Sequence, residues 1–465
     1  MGVMPVAQQK SLLEYLKPEP HIQADPKREV VAGLTTFMTM AYILFVNPAI
    51  LSATGMPREA LVAATAASAG LATIIMAVYA KMPFALAPGM GLNGYFAFTV
   101  VPFIAGILSR EGVTGVEPWQ IALAAVFVEG VIFILLSVTK VRETVAHSIP
   151  NNLKYAIGAG IGLFLTLIGF NDAGIITAST TPDGHLIALS MNANTFTSAP
   201  TLIAIIFTLV AAILLALRIP GALLVSIVLA IIAGIATGYA SPPSRVFATP
   251  DFSLFLKMDL GGLADLGVFT ATVIVFTFFV VDFFDTLGTA TGLASLAGYL
   301  REDGKVERIG PVLLTDAIGT TVGAMLGTST VTTYIESASG IEEGGRTGLT
   351  SLVVGLLFLV SLVIAPVFSI APSFATAPAL IIVGLLMARA IKNIDLQDYT
   401  EAIPAFLTIT SMPFLYSISD GIGMGFISYT VLKLATGRWR EVHPIVAVVA
   451  LIFLGYFLSL PSIKP

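Results

Sequence analysis

The stretch "TSTVTTYIESASG", residues 328–340, lies between two long apolar runs, and its reading decides the fold. It places Thr328, Ser329, Thr330, Thr332 and Thr333 ahead of a glutamate, Glu336, in a chain that is 56% hydrophobic and 11% charged. Soluble domains carry about 25% charged residues. A mean hydropathy of +0.93 over 465 residues therefore points to a membrane protein with many spans. β-Branched Thr favours extended backbone over helix. Open backbone at membrane depth is tolerated only where it is buried in protein or lines a cavity. A second irregular stretch, "PFALAPGMGLNG" at 83–94, also precedes a short apolar segment. If 84–91 and 329–335 both run extended, they can pair as antiparallel strands and satisfy each other. The helices that follow would then aim their N-terminal amides at a pocket.

Working outward, spans of about 20 apolar residues fall near 30–54, 60–80, 95–108, 117–139, 152–170, 199–217, 219–239, 266–297, 310–327, 335–345, 348–370, 376–392, 403–416 and 419–436. A further run, 444–460, is a last span or an interfacial helix. With the N-terminus inside, eighteen Lys and Arg collect on the cytoplasmic side. Four lie outside (Arg58, Arg110, Arg245 and Lys257), and Lys464 lies beyond the last run. That asymmetry agrees with the positive-inside rule. The first 30 residues lack the apolar core of a signal peptide, so residues 1–29 are expected to stay cytoplasmic. Fourteen helical spans of opposite orientation in each half give an all-α polytopic protein. Its inverted seven-span repeats run over 30–239 and 266–436, an arrangement frequent in secondary transporters. Aligned by eye, Asn93 falls opposite Glu336 and Asn47 opposite Asp282.

Charge inside a span is costly unless paired or hydrated. The eighth span reads "FTFFVVDFFDTLGTATG", with Asp282 and Asp285 three apart and hence on one helix face. Two carboxylates this close in low dielectric cannot both ionise cheaply, which suits proton coupling; a hydrated pair near a helix end would look the same. Glu336, at the start of a short broken helix, can accept two N–H bonds from a planar ligand. The Thr hydroxyls around it, Thr333 among them, would fix the ligand's edge. Asn93 can donate and accept on the other edge. Tyr95, Phe96, Tyr334, Phe283 and Phe284 are candidates to stack on a ring, although aromatics in membranes usually pack. Glu129 suits packing against a polar partner as well as function, Asp316 reads as structural, and Asp420 as a helix-start residue.

The four histidines fall in loops, and cysteine is absent. No metal set, nucleophile–base pair, Walker A sequence or dinucleotide fingerprint is present. The chain therefore reads as neither an enzyme nor an ATP-driven pump, with no cofactor and no nucleic-acid patch. An anion carrier of similar architecture would need positive charge at the midplane. The expected pocket holds up to three carboxylates and no intramembrane Lys or Arg.

"GLTTFMTMAYILFVNPAIL", "FALAPGMGLNGYFAF", "VVDFFDTLGT", "GTSTVTTYIESASG" and "GGRTGLTSLVVG" together resemble the AzgA-like purine permeases of the nucleobase–cation symporter-2 family. The likeness runs over nearly the whole chain. It implies a core domain (about 30–139 and 266–370) moving elevator-fashion against a gate domain (about 152–239 and 376–436), with short strands in the third and tenth segments. By resemblance, the eighth-span acid that contacts base and serves coupling is Asp285, with Asp282 one turn before it. The tenth-segment acid is Glu336, flanked by Tyr334 and the backbone of Ile335, and the third-segment polar residue is Asn93. The expected substrates are guanine and hypoxanthine, with adenine as a broader alternative. A proton rather than sodium is the expected coupling ion, the site is the cell membrane, and a homodimer is left open. Guanine offers adjacent N–H donors that one carboxylate accepts in bidentate fashion.

Overall fold

The computed structural model describes residues 12–19, 22–139, 148–180, 186–299 and 306–463. The N-terminal residues up to Ser11 and the loop positions His21, His147 and His185 lie outside the described residues. Among the described residues, ten helices are long and apolar enough to cross a membrane. The fourteen expected segments follow one another in order. The first is broken at Ala41–Tyr42 into Pro26–Met40 and Ile43–Ser52. The tenth is the six-residue helix Ser337–Glu342. The last apolar run forms a helix, Pro444–Ile463, packed on Ile418–Ala435 and Val268–Ala297.

The helices gather into two packed groups. In the first, Arg58–Ile75 packs on Ile43–Ser52, Ile309–Leu326 and Gly348–Ser361, while Pro118–Val138 packs on Ile309–Leu326 and Val268–Ala297. In the second, Asn151–Asp172 packs on Ser373–Ala388, Tyr399–Phe414 and Ile418–Ala435. Small residues set the closest seams, as expected where lipid tails are as apolar as the helices themselves. A Cβ on Gly355 would lie 2.9 Å from the Gly70 carbonyl oxygen, and one on Gly162 would lie 2.5 Å from that of Gly384.

Two short strands meet at the centre of the first group. β1 (Leu86–Pro88) pairs antiparallel with a later strand, Val331–Thr333, in the register Leu86↔Thr333 and Pro88↔Val331. Gly327, in the left-handed region at φ 96°, ends Ile309–Leu326 and turns the chain into the extended stretch. A second antiparallel pair, β2 (Ile176–Thr180) with β3 (Leu186–Met191), joins the fifth and sixth helices. The sequence reading had only a loop there. The strand Val331–Thr333 is then β4.

A buried acid fastens the end of the first group. Glu29 accepts hydrogen bonds from the backbone amides of Arg346 and Thr347 at 3.0 and 3.2 Å, and from the Thr350 hydroxyl at 2.6 Å. Those bonds explain the "GGRTG" turn that leads into Gly348–Ser361, where the unpaired amides of a helix start need acceptors.

Candidate functional site

Extended backbone survives in the bilayer here because every edge of the β1–β4 pair has a partner. The ladder is bracketed by Gly89 donating to the Thr330 carbonyl and Tyr334 donating to the Ala85 carbonyl, both at 2.9 Å. The outer edges are met by two threonines in corresponding helices. The Thr73 hydroxyl accepts from the Leu86 amide at 2.9 Å and donates to the Leu86 carbonyl at 3.1 Å. The Thr320 hydroxyl does the same for Val331, at 3.2 and 3.0 Å. This twin capping is the inverted repeat expressed in hydrogen bonds.

Past the strands, Met90–Tyr95 and Ser337–Glu342 begin at the edge of a cavity of about 560 Å³ that lies between the two helix groups. Asp285, Thr289 and Glu336 line it from one side; Ile157, Ile161 and Val383 line it from the other. A recess of about 70 Å³ continues inward past Tyr42, Thr333 and Tyr334. The combined volume falls within the usual range for small-ligand sites, about 300–1,000 Å³. The Tyr42 hydroxyl donates to Glu336 Oε1 at 2.6 Å. That bond holds one edge of the carboxylate and leaves its remaining lone pairs to the cavity. The Tyr334 hydroxyl donates to the Pro88 carbonyl and stiffens the turn ahead of Glu336. Thr333 donates to Asp316 Oδ1 at 3.0 Å. Ile335 is half exposed in the cavity.

Of the residues singled out from the sequence, Asp285, Thr333, Tyr334, Ile335 and Glu336 therefore come together at the cavity. Asn93, Asp282 and Phe96 do not. Asn93 is fully buried, its Oδ1 taken by the Ser329 hydroxyl. It sits a turn inside its helix, whereas Glu336 stands at a helix start. By the matched strand bonds, Gly89 to Thr330 and Tyr334 to Ala85, the residue in the position of Glu336 in the first repeat is Gly91. Phe96 is fully buried in the apolar core. Asp282 is fully buried and faces Thr320 at 3.2 Å. A spacing of three turns its side chain about 60° around the axis from Asp285, enough to put the two acids on different neighbours. Asp316 and Glu129 are buried behind the strands on the same side as Asp282.

Three contributors were missed or misplaced. Tyr42 lies in an unbroken apolar run; the only hint was a hydroxyl in mid-span. Asn47 was paired with Asp282 by alignment, but its Nδ2 donates to Thr65 and Thr328, at 2.7 and 3.0 Å. The expectation of a pocket free of basic residues is corrected by Lys154. It lines the cavity, with Nζ 3.2 Å from Asn151 Oδ1 and 5.1 Å from the Phe284 ring centre. Asp420, as expected, stands in the first turn of Ile418–Ala435, its amide bonded to the Ser417 hydroxyl at 3.2 Å.

The chain is similar to known proteins in sequence and in fold. The model of the Permease family (Xan_ur_permease) matches residues 27–424. A protein of Methanocaldococcus jannaschii, MJ0326, is 48% identical over 93% of this chain and 95% of its own length. The guanine/hypoxanthine permease PbuO of Bacillus subtilis is 40% identical, covering 93% of this chain and 97% of its own. The adenine permease AdeP of Escherichia coli is 41% identical, covering 92% of each. In fold, the chain is similar to the transmembrane domain of a cyanobacterial bicarbonate transporter, BicA. The TM-score is 0.58 at 16% identity, over 91% of this chain and 97% of that one.

Proposed function

From the premise that this chain belongs to the Permease family, we propose that it imports purine nucleobases, guanine and hypoxanthine above all, together with protons. The observation that carries the reading is Glu336. One oxygen is held by Tyr42, the rest of the carboxylate faces the cavity, and Asp285 stands beside it. Two acids that can only accept when ionised suit a neutral ligand with adjacent N–H donors. Guanine presents N1–H and its exocyclic amine side by side. Hypoxanthine presents N1–H on that edge and an imidazole N–H on another, so that one carboxylate takes a single bond from it and Asp285 or a backbone acceptor takes the second. A neutral base leaves water at modest cost once its edges are bonded. A site whose own acceptors go unpaired with the wrong base discriminates strongly.

PbuO and AdeP stand at nearly equal identity. Overall likeness therefore does not separate guanine and hypoxanthine from adenine. Adenine carries a ring acceptor at N1 where guanine and hypoxanthine carry N1–H, and would set that acceptor against the carboxylate; the broader substrate range is the alternative reading. An anion is poorly matched to Asp285 and Glu336, even with Lys154 at the cavity wall.

In the proposed cycle, the group containing β1 and β4 carries the base and moves as a core against the gate group containing Asn151–Asp172. A proton bound at Asp285 or its pair precedes the base from outside, and both leave to the cytoplasm. The protein would work in the cell membrane with its N-terminus inside, alone or as a homodimer.

Liposomes containing the purified protein test this. Labelled hypoxanthine should accumulate under an imposed inward proton gradient, be displaced by guanine, and ignore a sodium gradient. Accumulation driven by sodium alone would overturn the coupling assignment; absence of purine uptake would overturn the substrate.

A further inference from the structure

Behind the cavity, a set of buried acids has no part in contacting the base. Glu129 stands midway along Pro118–Val138, fully buried, and neither carboxyl oxygen has a hydrogen-bond donor. What faces it from Val268–Ala297 is the Asp282 carboxyl, whose Oδ1 also lacks a donor. From Ile309–Leu326 comes Asp316, equally buried, with Oδ2 unpartnered. Val101–Glu111 and Leu260–Asp265 also touch the Glu129 helix, but their charged residues, Arg110, Glu111 and Asp265, are exposed. Among the described residues, no cation faces the cluster from the packed helices.

Two buried carboxyl groups set face to face, with no donor from the protein to Asp282 Oδ1 or to either oxygen of Glu129, cannot both be ionised. They form a stable contact when a hydrogen lies between them. A metal ion is a poorer match: among the described residues no group of three acids or histidines is arranged to hold one. Building on the proton-symport reading above, we propose that Glu129 and Asp282 share a proton. They form a buried proton-binding site that is linked through Thr320 to the strand leading to Glu336.

The link follows from counting hydrogens. A hydroxyl has one to give. The Thr320 hydroxyl lies 3.0 Å from the Val331 carbonyl and 3.2 Å from Asp282 Oδ2. With the proton on the acid pair, that hydroxyl hydrogen stays with Val331 and closes the outer edge of β4. When the pair loses its proton, the hydrogen is drawn to Asp282 and the edge of β4 opens. The same strand is held at its other end by Thr333 donating to Asp316, and it runs directly into Tyr334 and Glu336. One proton taken from water on one side, and the same proton released on the other, thus changes the support of the substrate carboxylate. The base itself never touches the pair. Glu129 is a positioning residue in this scheme.

Glu129→Gln and Thr320→Val test it in liposomes, each read in two ways: exchange of labelled hypoxanthine without a gradient, and accumulation under a proton gradient. Both variants should still exchange hypoxanthine, yet accumulate no more than the gradient-free control. The pH dependence of exchange should be flattened in Glu129→Gln. Accumulation equal to the parent's, with the parent's pH profile, would overturn the proposal. If Glu129→Gln is not recovered in the membrane, Thr320→Val, which leaves every acid in place, decides alone by the same criterion. A parent protein that exchanges no purine would instead overturn the substrate reading, and this inference with it.

Discussion

Replacing Glu336 by Gln removes one acceptor oxygen and puts a donor in its place, with almost no change of shape. A hydrogen bond to a charged group contributes about 1.5–3 kcal/mol, and a neutral one about 1 kcal/mol. A base held by two N–H bonds to the carboxylate would lose one bond outright and see the other weakened. Together these losses come to about 3 kcal/mol, or about 150-fold in Kd at about 1.4 kcal/mol per decade. The fold should be spared, because the Tyr42 hydroxyl, 2.6 Å from Oε1 in the parent, can donate to the amide oxygen as well. The assay is binding of labelled guanine, the base with both donors on one edge, to purified protein in detergent, with the melting temperature as a control for folding. Parent-like affinity in Glu336→Gln, with an unchanged melting temperature, would refute the placement of the base on this carboxylate.

Other substitutions separate the roles around it. Asp285→Asn should exchange hypoxanthine but not accumulate it against a gradient; accumulative uptake would refute its coupling role. Tyr42→Phe removes the hydroxyl that donates to Glu336 Oε1 and should weaken binding by about 1.5 kcal/mol, roughly tenfold, less than Glu336→Gln in the same binding assay. Glu29→Gln leaves a single acceptor oxygen for the Arg346 and Thr347 amides and the Thr350 hydroxyl. It should destabilise the protein by about 2–4 kcal/mol, seen as a lower melting temperature with substrate affinity retained. At the exposed end of the second group, hydrogen bonds from Arg438 and then Lys433 hold the Glu441 carboxyl down at about 2. The stability this gives is present above the ordinary value of 4.5 and is lost as pH falls through about 2. Glu441→Gln should therefore melt with a smaller acid dependence than the parent.

The sequence made the spans legible because a bilayer imposes a length and a composition on each of them. It made the central strands legible because Thr-rich, Pro-flanked backbone at membrane depth has few other ways to be satisfied. The register Leu86↔Thr333 and the twin hydroxyl caps from Thr73 and Thr320 needed coordinates. For the site, the stretch from Thr333 to Glu336 was readable, since irregular backbone, an acid and a helix start coincide there. Choosing between Asp282 and Asp285 was not. At a spacing of three the two lie on one broad face, and which one meets the cavity depends on how Val268–Ala297 is rotated against its neighbours. Asn93 was misplaced for a related reason. Aligning the two loops by composition set it against Glu336, whereas the strand hydrogen bonds set Gly91 there. Tyr42 and Lys154 carried no local signal. One is a hydroxyl inside an apolar run, and the other a basic residue near a span end that looks like any cytoplasmic lysine. The hairpin of β2 and β3 lies between spans, where no membrane pattern marks it.

The most direct test of the account is uptake of labelled hypoxanthine into cells expressing the protein, with excess unlabelled guanine, adenine, xanthine or uracil, and with or without a protonophore. The account predicts saturable uptake that guanine abolishes, that uracil leaves intact, and that the protonophore collapses. Saturable uptake of no purine at all, with the protein present in the membrane, would contradict it.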